Sequence, residues 1–353
     1  MERNAYINRI RTAVPRFEVH SRFLRHLDSL IPPGAEGEKD RQKLTRIAEQ
    51  SAIEERYSVL ENFLDGADRY PMTAQRMSLY QKEALPLALQ TVHRLLPPGE
   101  RRTVTHLIIT SCTGFYSPGL DIDLIETLDL PPSVERSLLL NMGCYAAIPA
   151  LKLARHIVRS HHKAKVLVVN IELCSLHWRR DVPFERWIPF LLFADGCAAS
   201  LVSAEREGLR LDGFRSTLLP QTKDLMTWTV GDDGFSMHLD PAIPVRLGYA
   251  LQQDGAGFLA GRTAGEIPLW AIHPGGRRIL DAVQAGLGLK DARMAASRRI
   301  LKNFGNMSSP TVMFILKDLL EDPAESGDGC AMAFGPGLSL ESLTFHKISG
   351  GYL

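Results

Sequence analysis

From Thr105 onward the chain alternates two kinds of segment, and this alternation limits the fold more than any other feature. THLIITSC (105–112), RSLLLNMG (136–143) and KVLVVNIEL (165–173) are apolar runs of strand length. A strand that is apolar on both faces must be covered on both, the condition of a sheet inside an α/β fold. Between the last two runs, Ile148, Leu151, Ala154, Ile157 and Val158 recur at helical spacing.

A second series starts near Gly208. GLRLDGFRSTLL (208–219) reads as strand, LGYALQQDGAGFLA (247–260) as helix, LWAIHP (269–274) as strand and RRILDAVQAGLGL (277–289) as helix. ASRRILKNF and PTVMFILKDLLE follow as helices, then GCAMAFG and LSLESLTFHKI as a closing pair of strands. The first hundred residues differ. EKDRQKLTRIAEQSAIEERYSVLE (38–61) is charged and reads as helical, an appendage to the first half. At 353 residues the chain exceeds one ordinary hydrophobic core. The expectation is two βαβ-rich halves, 1–205 and 206–353, packed together without a long linker.

A net charge of +1 provides no electrostatic excess for nucleic acid or anionic membrane. Met1 to Val14 carries charges throughout, and no segment approaches the roughly 18 apolar residues of a membrane span. A cytoplasmic location is expected. Five cysteines, Cys112, Cys144, Cys174, Cys197 and Cys330, are odd in number and scattered, with no CxxC pair. They read as free thiols, outside any disulfide framework or zinc site. Cys197 and Cys330 fall in strand-like runs and are assigned to the core.

In NMGCYAAIPALKLARHIV (141–158) a thiol stands where strand tips into helix. The positive end of a helix favours thiolate over thiol. Free cysteine is also among the most buried residue types, and Pro149 suits a first turn, which would start the helix beyond Cys144. His273, in WAIHPGGRRILD, ends a strand and precedes a Pro-Gly-Gly turn, an unusual place for a packing histidine. Asn306, in NFGNMSSPTVMFIL, occupies a glycine-bearing turn before an apolar helix, where helix capping is its rival role. Thiol, imidazole and carboxamide together make a nucleophile, its base and a donor for a developing oxyanion.

GCYAAIPALKLA around Cys144, LFADG (192–196), HPGGRRILD from His273, NFGNMSSP from Asn303 and AFGPGLSLES from Ala333 resemble the type III polyketide synthases. These are the chalcone-synthase-like enzymes of the thiolase fold, and the resemblance, to a bacterial-type member, runs in order from about Arg41 to Phe345. It implies two similar halves packed as a five-layered α-β-α-β-α core. It implies that Cys144 takes an acyl group from CoA, while His273 and Asn306 hold the malonyl-CoA thioester as it loses carbon dioxide. Phe193 matches the aromatic gatekeeper between CoA tunnel and cavity. Lys43 and Arg46 match phosphate-binding positions; Gln50 replaces a third basic residue, with Arg277 or Arg278 as substitutes.

Around the cavity, Cys112, Cys174 and His177 stand where plant members carry hydroxyl residues; Met237 takes a second gatekeeper position and Ser308 follows the asparagine. Thiols and a flexible thioether suit alkyl chains better than phenols. The implied reaction is condensation of malonyl-CoA onto an aliphatic, long-chain acyl-CoA, giving an alkylpyrone or alkylresorcinol. No metal or cofactor beyond the CoA substrates is implied, and no carrier domain. CTGFYSPG matches a loop that crosses a homodimer interface, with Ser117 in place of a larger apolar residue. A malonyl-only tetrahydroxynaphthalene synthase, a ketoacyl-carrier-protein synthase III-like enzyme and a cysteine hydrolase remain as alternatives. The papain-type signature of the last is missing around Cys144.

Overall fold

The computed structural model describes residues 4–62, 71–180, 182–324 and 326–348. In chain order its elements are β1 (Tyr6–Ala13), β2 (Phe17–Glu18), α1 (His20–Leu30), α2 (Ala35–Ser51), β3 (Tyr57–Ser58), α3 (Thr73–Leu95) and α4 (Pro98–Arg101). Then come β4 (His106–Ser111), α5 (Leu120–Leu128), β5 (Glu135–Leu140), α6 (Ala147–Ser160), β6 (Val166–Leu173), α7 (Ile188–Leu192), β7 (Asp195–Ser203) and β8 (Leu209–Leu218). The chain ends with β9 (Met226–Gly231), β10 (Gly234–Leu239), α8 (Ile243–Phe258), β11 (Leu269–Ile272), α9 (Arg277–Leu287), α10 (Asp291–Phe304), α11 (Pro310–Glu321), β12 (Gly327–Gly335) and β13 (Ser339–Lys347).

The large sheet runs β11-β12-β13-β8-β1-β7-β6-β4-β5. Its two wings repeat one pattern. In the first, β4 is parallel to β6, β6 antiparallel to β7, and β7 antiparallel to β1. In the second, β11 is parallel to β12, β12 antiparallel to β13, and β13 antiparallel to β8. The wings join only where Tyr6 meets Arg210 and Ile7 meets Leu209. Helix α6 packs on β4, β6 and β7 and also on β8 and β13, while α11 packs on β1, β6 and β7 and also on β11 and β12. No flat sheet offers both wings to one helix. The wings therefore face each other across α6 and α11, which also touch one another.

This is the middle layer. Every residue of α11 from Pro310 to Leu316 is buried, so a helix that is apolar nearly all round has found the one place that suits it. Ala147, Ile148, Leu151, Ala154 and Val158 of α6 share its cluster. Outside the first wing, Ala84, Ala88 and Val92 of α3 and Leu124 of α5 cover Leu107, Leu167 and Val169. Outside the second, Leu247 and Leu251 of α8, Leu280 of α9 and Met294 of α10 cover Trp270 and Met332. The layers read α-β-α-β-α, as the resemblance implies.

Two expectations need correction. The first hundred residues are mainly helical, in α1, α2 and α3, but they are no mere appendage, because Tyr6–Ala13 is a strand in the middle of the sheet. Its polar residues hide the pattern. Asn8 is held by the Glu205 carbonyl and Ser203, Arg9 by Glu100, and Arg11 by Glu321. The charged run 38–61 is also not one helix. It stops at Ser51, Ala52 turns into the left-handed region (φ 58°), and Tyr57–Ser58 pairs with Phe17–Glu18. The β9–β10 hairpin arises in a segment with no strand expectation, its outer face being exposed.

Leu316, fully buried between the wings, makes the middle layer testable. Leu316→Ala is expected to cost about 2–5 kcal/mol, seen as an earlier midpoint in urea unfolding. Truncation of exposed Val245 on α8 is expected to leave the midpoint close to wild type.

Candidate active site

Cys144 lies after β5, in a turn just ahead of α6. The Ala146 N–H donates to the Gly143 carbonyl (3.1 Å) and the Ile148 N–H to that of Tyr145 (3.0 Å), so the chain is already coiling past the thiol. Pro149 falls within the first helical turn, where its missing N–H breaks no bond. Asn306 holds the corresponding place ahead of α11.

The Asn306 N–H donates to the Leu192 carbonyl (2.8 Å), and its own carbonyl accepts from the Ala194 N–H (2.9 Å). This short bridge sets Asn306 beside Phe193. Two motifs from different halves thus meet as backbone partners. Gly196 permits it, since a Cβ there would lie 2.5 Å from Met307 Sδ. The Ser308 N–H donates to Asn306 Oδ1 (2.8 Å). Only the amide oxygen can accept, so the Nδ2 donors face the other way. One reaches the Gly275 carbonyl at 3.5 Å, in the turn after His273. A contact that long yields readily to a better acceptor.

His273 ends β11, and its N–H extends the strand pairing to the Met332 carbonyl (2.8 Å). The ring is 1% exposed, and neither nitrogen has a hydrogen-bond partner. A buried imidazole with two vacant nitrogens is costly unless a ligand fills the role. Burial pushes the Cys144 thiol up to about 11, against the pull of the Ser308 hydroxyl and Asn306 carboxamide. Burial alone pushes His273 down to about 3. Each value reflects one lone charge in a dry pocket, where burial opposes ionisation of either group by itself.

Cys144, Cys174 and Phe193 form one apolar cluster, with Met237 and Leu239 against it. Cys112 joins through Ser308, its sulfur 3.4 Å from the hydroxyl. Cys174 opens the turn after β6, and buried Asp195 holds that turn by accepting from the Ser175 N–H (2.8 Å) and hydroxyl (2.5 Å). His177 is engaged differently. Its Nδ1 accepts from the Phe235 N–H (3.1 Å), so the proton sits on Nε2 and is donated to the Thr113 carbonyl (2.7 Å). The ring stacks on Phe235 at 4.1 Å. With no nitrogen left for a ligand, it ties the hairpin that carries Met237 to the loop after β4.

Sequence reasoning passed over Glu172, at the end of β6 and fully buried. One oxygen accepts from the Cys112 N–H (2.8 Å) and the Thr113 hydroxyl (2.8 Å), the other from the Ser309 hydroxyl (2.8 Å). It fastens the Cys112 loop to the turn carrying Ser308. The available signal was a single acid in an apolar run. Lys43, Arg46 and Gln50 share the exposed face of α2, whose Leu44 and Ile47 pack with Phe190 and Leu191 of α7. Lys43 pairs with Asp40 at 3.1 Å. Arg277 and Arg278 open α9 on its exposed side, and Leu192, next to Phe193, packs with Ile279 and Leu280 of α9. Among the described residues no His, Cys, Asp and Glu group is arranged to hold a metal, and no helix is long and apolar enough to cross a membrane.

Two wings of sheet around two central helices, with a buried thiol and a carboxamide at the starts of those helices and an unpartnered imidazole at the end of a sheet strand, define a thiolase-fold enzyme. Residues 12–206 match the N-terminal domain of the chalcone and stilbene synthases, and residues 211–349 match their C-terminal domain. The chain belongs to that family and is a type III polyketide synthase. Over 98% of its length it is 32% identical to the alpha-pyrone synthesis polyketide synthase-like Pks18 of Mycobacterium tuberculosis, covering 91% of that protein. It is 30% identical to the bisdemethoxycurcumin synthase of Oryza sativa, over 88% of this chain and 84% of that one. PKS-I from the brown alga Ectocarpus siliculosus has a crystal structure that matches with a TM-score of 0.89 at 28% identity, covering 99% of both chains.

A role for His273 as proton acceptor of Cys144 has a measurable sign: in His273→Ala the thiol's ionisation is then expected to move alkaline, toward the value of about 11 that burial imposes on it. Carbamidomethylation of Cys144 followed by mass across neutral and alkaline pH reports this. Superimposable profiles for variant and wild type would exclude His273 as the acceptor.

Proposed function

We propose that this enzyme extends an aliphatic, long-chain acyl-CoA with malonyl-CoA and releases an alkylpyrone or alkylresorcinol. The observation that carries the reading is the cluster of Cys144, Cys174 and Phe193, closed by Met237 and reached by the side chains of Asn306 and Ser308. It joins a nucleophile to an apolar wall. Thiols and a thioether can pack a flexible alkyl chain but offer little to orient a phenol. The α-pyrone synthesis named for the mycobacterial relative supports the same product class.

The steps follow from the donors present. The Cys144 thiolate attacks the starter thioester, a new C–S bond forms, and the CoA thiolate leaves with the proton from His273. Malonyl-CoA then places its thioester oxygen between an N–H of His273 and Nδ2 of Asn306. As the bond to the carboxylate breaks, carbon dioxide departs and the electron pair moves into an enolate whose oxygen those donors hold. The enolate carbon attacks acyl-Cys144, freeing the thiolate and leaving a β-ketoacyl-CoA extended by one unit. Transfer back to Cys144 repeats the cycle until the chain cyclises. Lys43 and Arg46 on α2, with Arg278 at the start of α9, are the candidate cations for CoA phosphates. A homodimer is the proposed state, with Ser117 and the half-exposed Phe115 on the loop at its interface.

Incubation with malonyl-CoA and acyl-CoAs of graded length, followed by mass analysis, tests the reading. Long-chain pyrones or resorcinols are expected; a naphthol made from malonyl-CoA alone would replace the starter assignment. Cys144→Ala is expected to abolish elongation. Loss of one oxyanion donor in Asn306→Ala is expected to slow malonyl-CoA decarboxylation about 10²–10³-fold. Wild-type rates in either variant would remove that residue from its role.

A further inference from the structure

Arg56, just ahead of β3, is a guanidinium buried to 3% exposure, and none of its hydrogen bonds goes to a carboxylate. Its Nε donates to His20 Nδ1 (3.0 Å), and one terminal nitrogen donates to two backbone carbonyls, those of Phe190 (2.6 Å) and Phe193 (2.7 Å). The other terminal nitrogen has no partner. Glu18 and Asp195 lie near enough to offset part of its charge, yet the fork is aimed at neutral acceptors, and that aim calls for an explanation beyond stability.

The two carbonyls explain it. They lie at the C-terminal end of α7, where carbonyls lack partners inside the helix and carry its partial negative charge. One is the carbonyl of Phe193. The peptide unit that joins Phe193 to Ala194 is thus gripped from both sides. Its oxygen accepts from Arg56, and its N–H donates to the Asn306 carbonyl (2.9 Å). The side chain of Arg56 also presses on the turn before Asn306: a Cβ at Gly305 (φ 66°) would lie 2.9 Å from Arg56 Cγ and 2.9 Å from the Leu192 oxygen. On its other side the guanidinium carbon stands 5.1 Å from the centre of the Phe23 ring. His20, whose pKa burial lowers to about 4, is neutral and accepts the Nε proton, which fixes the rotation of the fork.

We propose that Arg56, oriented by His20, is a positioning residue that locks the gate at Phe193 and the oxyanion donor Asn306 into one register through the Phe193–Ala194 peptide. The proposal rests on the roles given above to Phe193 and Asn306. It accounts for a planar fork at this site, since one terminal nitrogen serves both carbonyls while Nε is held separately by His20, a second anchored donor that a lysine ammonium would lack. It also couples two steps that share no side chain, since one peptide orients both the tunnel junction and the decarboxylation site.

The test uses the full-length enzyme with two readouts: malonyl-CoA decarboxylation without starter, which reports Asn306, and product yield against acyl-CoA length, which reports Phe193. Arg56→Lys is expected to lower kcat for decarboxylation by on the order of ten- to a hundred-fold with little change in KM, and to flatten the chain-length preference. His20→Leu is expected to shift both readouts in the same direction but less, whereas His20→Asn, which keeps an acceptor near the place of Nδ1, restores them toward wild type. This pair decides the matter should Arg56→Lys fail to fold. Folded Arg56→Lys or His20→Leu protein with wild-type kcat and wild-type length preference would overturn the proposal. Phe193→Leu and Asn306→Ala run in parallel separate the two levels. If those variants themselves leave both readouts unchanged, the roles of Phe193 and Asn306 fail, and the positioning role fails with them.

Discussion

Burial of α6 and α11 between the two wings of the sheet is the constraint on which the rest depends. α11 has no polar stripe over its first two turns and has to be covered all round, which the space between two sheets does, while α6 keeps Lys152, His156 and Arg159 off its buried face and turns its apolar face inward beside it. Since both helices touch strands of both wings, their starting turns converge. Cys144 precedes one and Asn306 the other, so a thiol and a carboxamide far apart in the chain come together through apolar packing.

The polar groups of the site are then adjusted by a few buried hydrogen bonds, each made because the alternative is an unsatisfied group in a dry interior. Ser308 turns the Asn306 amide, Glu172 fastens the Cys112 loop to the Ser308 turn, and Asp195 holds the turn behind Cys174. His273 is the exception, with both ring nitrogens vacant. Burial opposes a lone charge on that ring, and the vacancy is what the proposed role for His273 as a donor to the substrate would fill.

Much of this was legible in the residues. The apolar runs became β4, β5 and β6, though only β4 and β6 are buried on both faces, β5 being the partly exposed edge strand; Cys144, His273 and Asn306 stood out because polar or reactive side chains sat in tight turns next to regular elements. The family motifs have physical reasons as well: Gly196 of LFADG makes room for Met307 of NFGNMSSP, and Phe193 pairs with Asn306. Other parts were hidden. β1 looked polar because its charges are answered by Glu100 and Glu321, and α2 ended early at a left-handed Ala52. Arg56 looked like one more cation in a charged stretch, and His177 like a group facing the cavity.

The sequence by itself determined the alternation of strands and helices and the family to which the chain belongs, because periodicity and motif chemistry are local properties. Only the tertiary structure decided which polar residues are held by partners and which are left vacant. Arg56 meets Phe190 across 134 residues and Ser309 meets Glu172 across 137. A hydrogen bond depends on position and direction in space, and over such separations neither is written in the order of the chain.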